Sequence, residues 1–209
     1  MTTPTLPRTP RRATRIAAAS VLTVSLGAGL MACGQGAQPG PDVKVANTAT
    51  AQAKQAAQAM QRSKPTGLKI ESAGVDATSM LDLTTDSTGE LQVPPADKAE
   101  LPGWWQDGPT PGEKGASVLV AHYDTAKGPA LMKNVKDIKI GDAVEVKRAD
   151  GTTAHFKVRE IEQVNKKDFP TNKVYGETNR AELRILTCGG GLKDGHRTDN
   201  IILYADLVQ

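Results

Sequence analysis

Cys188 closes the run Ala181-Glu182-Leu183-Arg184-Ile185-Leu186-Thr187 and is followed by three glycines, Gly189, Gly190 and Gly191. That largely apolar run predicts a buried strand, so a rigid element presents the thiol. The glycines leave bare backbone against which a substrate chain can come close. The other cysteine of the sequence, Cys33, lies in a segment patterned like an export signal. Outside the cytoplasm structural cysteines come in pairs, and one thiol alone in the mature domain favours a reactive role.

His122 is the matching candidate. It follows the apolar run Ser117-Val118-Leu119-Val120-Ala121 and precedes Tyr123-Asp124, so it too sits at a strand end. A histidine beside a thiol can hold it as thiolate, or donate a proton to a leaving amine. The other histidines fit less well. His155 alternates with Phe156 and Val158 and falls on the solvated face, and His196 lies in the polar loop Lys193–Arg197. Arg197 stands on the way into the last strand, where a short loop would bring its guanidinium back towards Cys188. A cation there could stabilise the thiolate and an oxyanion. Free Cys and His titrate near ~8.5 and ~6.5, so an uncoupled pair is mostly neutral at pH 7. A competent thiolate–imidazolium pair then needs a nearby cation, and Arg197 can supply it. Asp124 and Asp199 could orient these groups, though their setting is that of ordinary turn acids. Two cysteines, one of them in the signal, do not assemble a zinc site, and neither metal nor cofactor is expected.

The elements that must position these residues are short strands. Leu68–Glu71, Gly89–Val93, Ser117–Ala121 and Ala181–Cys188 read as strands, as does Ile201–Leu207. Ala143–Lys147 and Phe156–Ile161 read as a hairpin turning at Ala149-Asp150-Gly151. Pro129–Val135 could form one or two helical turns. Many strands and little helix imply an all-β barrel or sandwich of about 140 residues.

Three regions follow from composition. Residues 1–33 carry Arg8, Arg11, Arg12 and Arg15, then the charge-free stretch Ile16–Ala32, and read as a signal peptide. Leu30-Met31-Ala32-Cys33 resembles a bacterial lipobox, which would make Cys33 the lipidated first residue. The alternative is a retained anchor, for which Ile16–Ala32 is at the lower length limit. Both tether the chain to the membrane from outside the cytoplasm. Residues 34–65 are rich in Ala, Gln and Pro and read as a disordered tether. Residues 66–209 form the remaining folded domain. The net charge of +3 is modest and aromatics are 3% of the chain, which excludes a nucleic-acid platform.

Val118-Leu119-Val120-Ala121-His122, then Leu186-Thr187-Cys188-Gly189-Gly190, then a late arginine ahead of Ile201-Ile202-Leu203-Tyr204-Ala205, resembles the sortases. The class F sortases of actinobacteria are the most similar group. Gly103-Trp104-Trp105, Pro109–Glu113, Arg148–Thr153, Asp168-Phe169-Pro170 and Val174-Tyr175-Gly176 add to the likeness. It extends from about Gly67 to Val208. The resemblance implies a closed β-barrel of about eight strands with one or two short helices. It implies Cys188 as nucleophile on an LPxTG-like sorting signal, cleaved between Thr and Gly through a thioacyl enzyme. His122 is then the general acid/base, and Arg197 binds substrate or supports the oxyanion. Secreted proteins bearing sorting signals are the implied substrates. An amine of cell-wall or pilin type, or water, accepts the acyl group, and a monomer is expected.

Two departures bear on this. Ala121 stands where the family usually has glycine, and Thr198 separates Arg197 from Asp199-Asn200. One residue of slip turns a side chain to the other face, so Arg197 needs a bulge or a shorter loop to regain its aim. The non-enzymatic alternative is a membrane-tethered lipoprotein using a sortase-like barrel as a binding or scaffold module.

Overall fold

The computed structural model describes residues 40–41 and 57–208. The signal, the lipobox with Cys33 and most of the segment read as a tether lie outside the described residues. The strands are β1 (Pro65–Ile70), β2 (Val75–Ala77), β3 (Leu81–Leu83), β4 (Gly103–Trp105), β5 (Gly115–Val120), β6 (Asp124–Thr125), β7 (Gly128–Pro129), β8 (Ala143–Arg148), β9 (Thr153–Asn165), β10 (Ala181–Lys193) and β11 (His196–Leu207). The α-helix α1 covers Thr171–Tyr175.

Nine strands form one sheet in the order β2-β1-β8-β9-β11-β10-β5-β4-β3, and β6 pairs only with β7. The sheet curls on itself, because Leu68 and Val146 near one edge and Trp104 and Leu119 near the other belong to one buried cluster. Its edge strands β2 and β3 do not pair. The closed eight-stranded barrel expected from the sequence is thus an open, curled sheet of nine. Short edges of three residues each offer little template for foreign strands.

Periodicity explains which strands bury what. In β8 and β9, Val144, Val146, Ala154, Phe156 and Val158 point inward, while His155 and Lys157 are exposed. The hairpin between them turns where expected, with Gly151 at φ +81° and its N–H donating to Arg148 O. Strands β5 and β10 are buried on both sides, β10 with the charged Glu182 and Arg184 on the face it shares with Leu186. Leu119, Leu183 and Ile185 join the main core, and Val118, Val120 and Leu186 join a second cluster with Val174 of α1. Ala121 places its methyl in the main core.

Three local expectations change. β10 runs past Cys188 to Lys193 and β11 begins at His196, so Cys188 lies inside a strand rather than at its end, because the glycines bulge without breaking the ladder. Gly89–Val93 is not a strand and makes only the isolated bridge Thr85–Leu91, since Pro94-Pro95 cannot continue a ladder. Helix is found at α1 rather than over Pro129–Val135, where β7 is followed by turns and a 3₁₀ turn at Val135–Asp137. Residues 57–64, within the segment read as a tether, run against the domain. Met60 N–H donates to Gly112 O at 2.8 Å, and Arg62 bonds Gly108 O and Glu113.

Beside α1 the sheet carries an ionic layer. Tyr204 is fully buried and donates to Glu162 at 2.8 Å, and Lys173 bridges Glu160 and Glu162. Glu182, 4% exposed, takes Arg159 at 3.0 Å and Arg180 at 2.7 Å, and pairs with Arg184. Burial pushes its carboxyl up, but Arg184 and Arg159 outweigh this and hold it down to about 2. A folded value below the unfolded one stabilises the protein at neutral pH, and this is lost as pH falls through the folded value. The contribution is about 3 kcal/mol, lost mainly between pH ~5 and ~2. Urea unfolding at pH 7 and pH 3 should show this drop. Glu182→Gln should be less stable at pH 7 and should flatten the dependence.

Candidate active site

β10 pairs with β5 in parallel, with Ile185 opposite Leu119 and Leu186 opposite Val120. The ladder ends where Ala121 N–H donates to Leu186 O at 3.0 Å. Two residues beyond the last pair, the same register sets Cys188 opposite His122. Adjacent strands lie roughly 4.8 Å apart, so a continuation of that register brings the backbones at Cys188 and His122 side by side, although β5 ends at Val120 and β10 runs on to Lys193. Cys188 is a free thiol and half-buried.

Across the other side of β10, β11 runs antiparallel with Cys188 opposite Asn200 and Gly189 opposite Asp199. The pairing then shifts, and the next matched pair is Leu192 with Arg197. Gly190 and Gly191 therefore bulge opposite Thr198, which absorbs the extra residue of the loop. Gly190 adopts φ +70°, and a Cβ there would lie 2.5 Å from Thr198 Oγ1 and 2.6 Å from Asp199 Oδ2. Both conformation and space demand glycine. The bulge turns Arg197 back to the site, where its side chain is buried and Nη1 donates to Gly190 O at 3.1 Å.

Arg197 is held from two further sides. Nε and Nη2 both donate to Asp124 Oδ2, at 3.1 and 2.7 Å, and the guanidinium lies 5.2 Å from the Tyr123 ring centre. The Asp124 carboxylate raises the Arg197 pKa against the opposing effect of burial, and the Cys188 sulfur adds to the rise.

His122 is oriented by a loop. Its Nε2 lies 2.6 Å from Pro94 O, and a carbonyl only accepts, so Nε2 carries a proton. In the neutral ring this leaves Nδ1 as the acceptor. Pro94 is buried and precedes Pro95, which confines its backbone to extended conformations and fixes where the carbonyl points.

Cys188 and His122 each stand two residues past the last β5–β10 pair, and Arg197 reaches Gly190, two residues after Cys188, across the bulge. His155 and His196 are exposed, as their pattern suggested, and His155 approaches only Glu145. Sequence reading missed the Pro94 carbonyl and left Asp124 undistinguished from a turn acid. The Pro-Pro pair was the available signal for the first. For the second it was proximity to His122 along the chain.

The dipeptide Gly40-Pro41 also touches the site. Pro41 is buried with its carbonyl facing Gly189, and a Cβ on Gly40 would overlap Gly190 O. A cleft of about 490 Å3 along Leu81–Leu83 and Gln92–Pro95 adjoins the Pro94 loop. The larger cleft, about 620 Å3 beside Trp105 and Tyr175, has none of the three candidate side chains in its lining.

Comparisons with known proteins bear on the fold and the family. A comparison with curated proteins finds no match. Solved structures do match. The Clostridium perfringens sortase D5 transpeptidase aligns with a TM-score of 0.51 at 20% identity, over 70% of this chain and 79% of that one. Streptococcus agalactiae sortase C1, in complex with MTSET, aligns with a TM-score of 0.53 at 15% identity, over 70% of each. Actinomyces oris sortase C-1 aligns with a TM-score of 0.51 at 20% identity, over 68% and 71%. At such identities they speak for the fold. The sortase domain family profile matches residues 68–208, a span that begins in β1 and takes in Cys188, His122 and Arg197. The chain belongs to the sortase family, a membership that implies a cysteine transpeptidase.

Proposed function

We propose that this protein is a class F-type sortase acting outside the cytoplasm, held at the membrane through its N-terminus, with Cys33 as the lipidated residue. No helix among the described residues is long and apolar enough to cross a membrane. The reading is supported by the β5–β10 register, whose last matched pair, Leu186 with Val120, precedes Cys188 and His122 by two residues each, and by the hydrogen bond of Arg197 to Gly190 O across the bulge. Its substrates are secreted proteins bearing an LPxTG-like signal, and it works as a monomer.

The residues divide the reaction between them. The Cys188 thiolate attacks the threonine carbonyl carbon, and the C=O electron pair moves onto oxygen. Free N–H groups of Arg197 stabilise that oxyanion. The oxyanion collapses, the C–N bond to glycine breaks, and protonated His122 gives its proton to the departing amine. A thioester on Cys188 remains. An incoming amine, or water where no amine is present, gives a proton to His122 as it attacks, and the thiolate leaves. Nε2–H donation to Pro94 O keeps the ring oriented through both halves.

Incubating the ectodomain with sorting-signal peptides, with and without amine nucleophiles, tests the reading. Cleavage between Thr and Gly and amine-dependent ligation are expected. Cys188→Ala should abolish both. Arg197→Ala should lower kcat/KM by about 10²–10³-fold, and Arg197→Lys should recover only part because a point charge lacks the planar fork. No cleavage of any peptide, with an inert Cys188, would favour the non-catalytic scaffold. A second prediction concerns Gly40-Pro41. A chain beginning at Ala57 keeps Met60 and Arg62 but loses that dipeptide, and its Cys188 should react faster with a bulky maleimide than the longer ectodomain. Equal rates would mean that the dipeptide does not limit access.

A further inference from the structure

We propose that Asp124 is the positioning residue of this site, aiming Arg197 at the reacting carbonyl and setting how much of its charge Cys188 feels. The inference rests on the sortase reading of Cys188 and Arg197.

A guanidinium has five N–H donors. In this site Nε and one Nη2 hydrogen go to Asp124 Oδ2, and one Nη1 hydrogen goes to Gly190 O. Among the described residues two donors then remain, one on Nη1 and one on Nη2. They are the only ones left for a substrate oxygen. Tyr123 lies against the guanidinium, so the group is held both by hydrogen bonds and by its ring neighbour. Asp124 opens β6 directly after the His122-Tyr123 pair, so one short segment supplies the imidazole, the ring and the carboxylate.

The second nearby acid does not do this. Asp199 accepts from Gln163 at 2.8 Å and from Asn165 at 3.4 Å, and it packs against Gly190. Among the described residues Asp124 is the one carboxylate that Arg197 bonds. The remaining charged groups of the β10–β11 turn, Lys193, Asp194 and His196, are exposed.

The pairing has a cost for the nucleophile. A carboxylate against the guanidinium cancels part of the positive potential that would otherwise favour the Cys188 thiolate. Asp124 therefore trades thiolate stabilisation for geometry. Removing it separates the two effects, because the thiol becomes easier to ionise while turnover falls.

The test uses the ectodomain with Asp124→Asn and Asp124→Ala. The asparagine can keep an oxygen acceptor for Arg197 without the charge, whereas alanine removes both. Alkylation of Cys188 by iodoacetamide as a function of pH needs no peptide substrate, and its midpoint should move to lower pH in both variants. With a cleavable sorting peptide, Asp124→Ala should lose about 10–100-fold in kcat, and Asp124→Asn should lose less. In an Arg197→Ala background, Asp124→Ala should cost nothing further, since it acts through that arginine. Unmoved alkylation midpoints in both variants would overturn the proposal, as would additive losses in the double variant. If the unmutated protein cleaves no peptide, the sortase reading fails on its own terms, while the alkylation profiles still decide the Asp124–Arg197–Cys188 coupling.

Discussion

Among the described residues, two strand pairs of the nine-stranded sheet run parallel, β3 with β4 and β5 with β10. The second of these governs the site. In a parallel pair both strands finish at the same edge, so whatever follows each emerges side by side. An antiparallel pairing would have sent His122 and Cys188 to opposite ends. Parallel neighbours need a long crossover, and the stretch between β5 and β10 provides it, carrying the β8–β9 hairpin on the way. Register in this pair is fixed by burial, because side chains on both faces of both strands are packed into one core or the other. A slip by one residue would exchange the two sets of contacts and separate sulfur from imidazole together.

Arg197 reaches the same place by a different device. It belongs to a hairpin whose regular alternation would be upset by the extra threonine, and two glycines on the facing strand absorb the difference. The guanidinium is then secured by a carboxylate, a carbonyl and an aromatic ring rather than by the ladder itself. Cys188 is placed by strand pairing and His122 by the end of β5, while Arg197 is placed by side-chain chemistry.

This division explains what could be read from residues alone. Cys188 and His122 each end an apolar run, a pattern that survives any uncertainty about neighbours, and so both were legible. The hairpin through Asp150-Gly151 was legible for the same local reason. The aim of Arg197 was not, since it depends on a bulge formed jointly by Gly190 and Thr198 on separate strands. The significance of Asp124 depends on a contact across the fold, and the Pro94 carbonyl belongs to backbone that no side-chain pattern marks. The number of strands and the open edge were hidden too. Three-residue strands such as β2 and β3 owe their conformation to their partners rather than to any periodicity of their own. Helix α1 was missed because five residues are too few to show a helical repeat, and its one buried residue, Val174, docks on the second cluster.

The β10–β11 hairpin is uneven along its length. From Ala181 to Thr187 β10 is covered on both faces and flanked by β5 and β11, while Lys193 through His196 at the turn are exposed. Fraying of such an element starts at the uncovered tip and progresses inward. The first functional group it meets is Arg197, several rungs before the sulfur. Opening of the tip therefore loosens the backbone of Arg197 before that of Cys188, and the grip of Asp124 and Tyr123 on the guanidinium is what resists it.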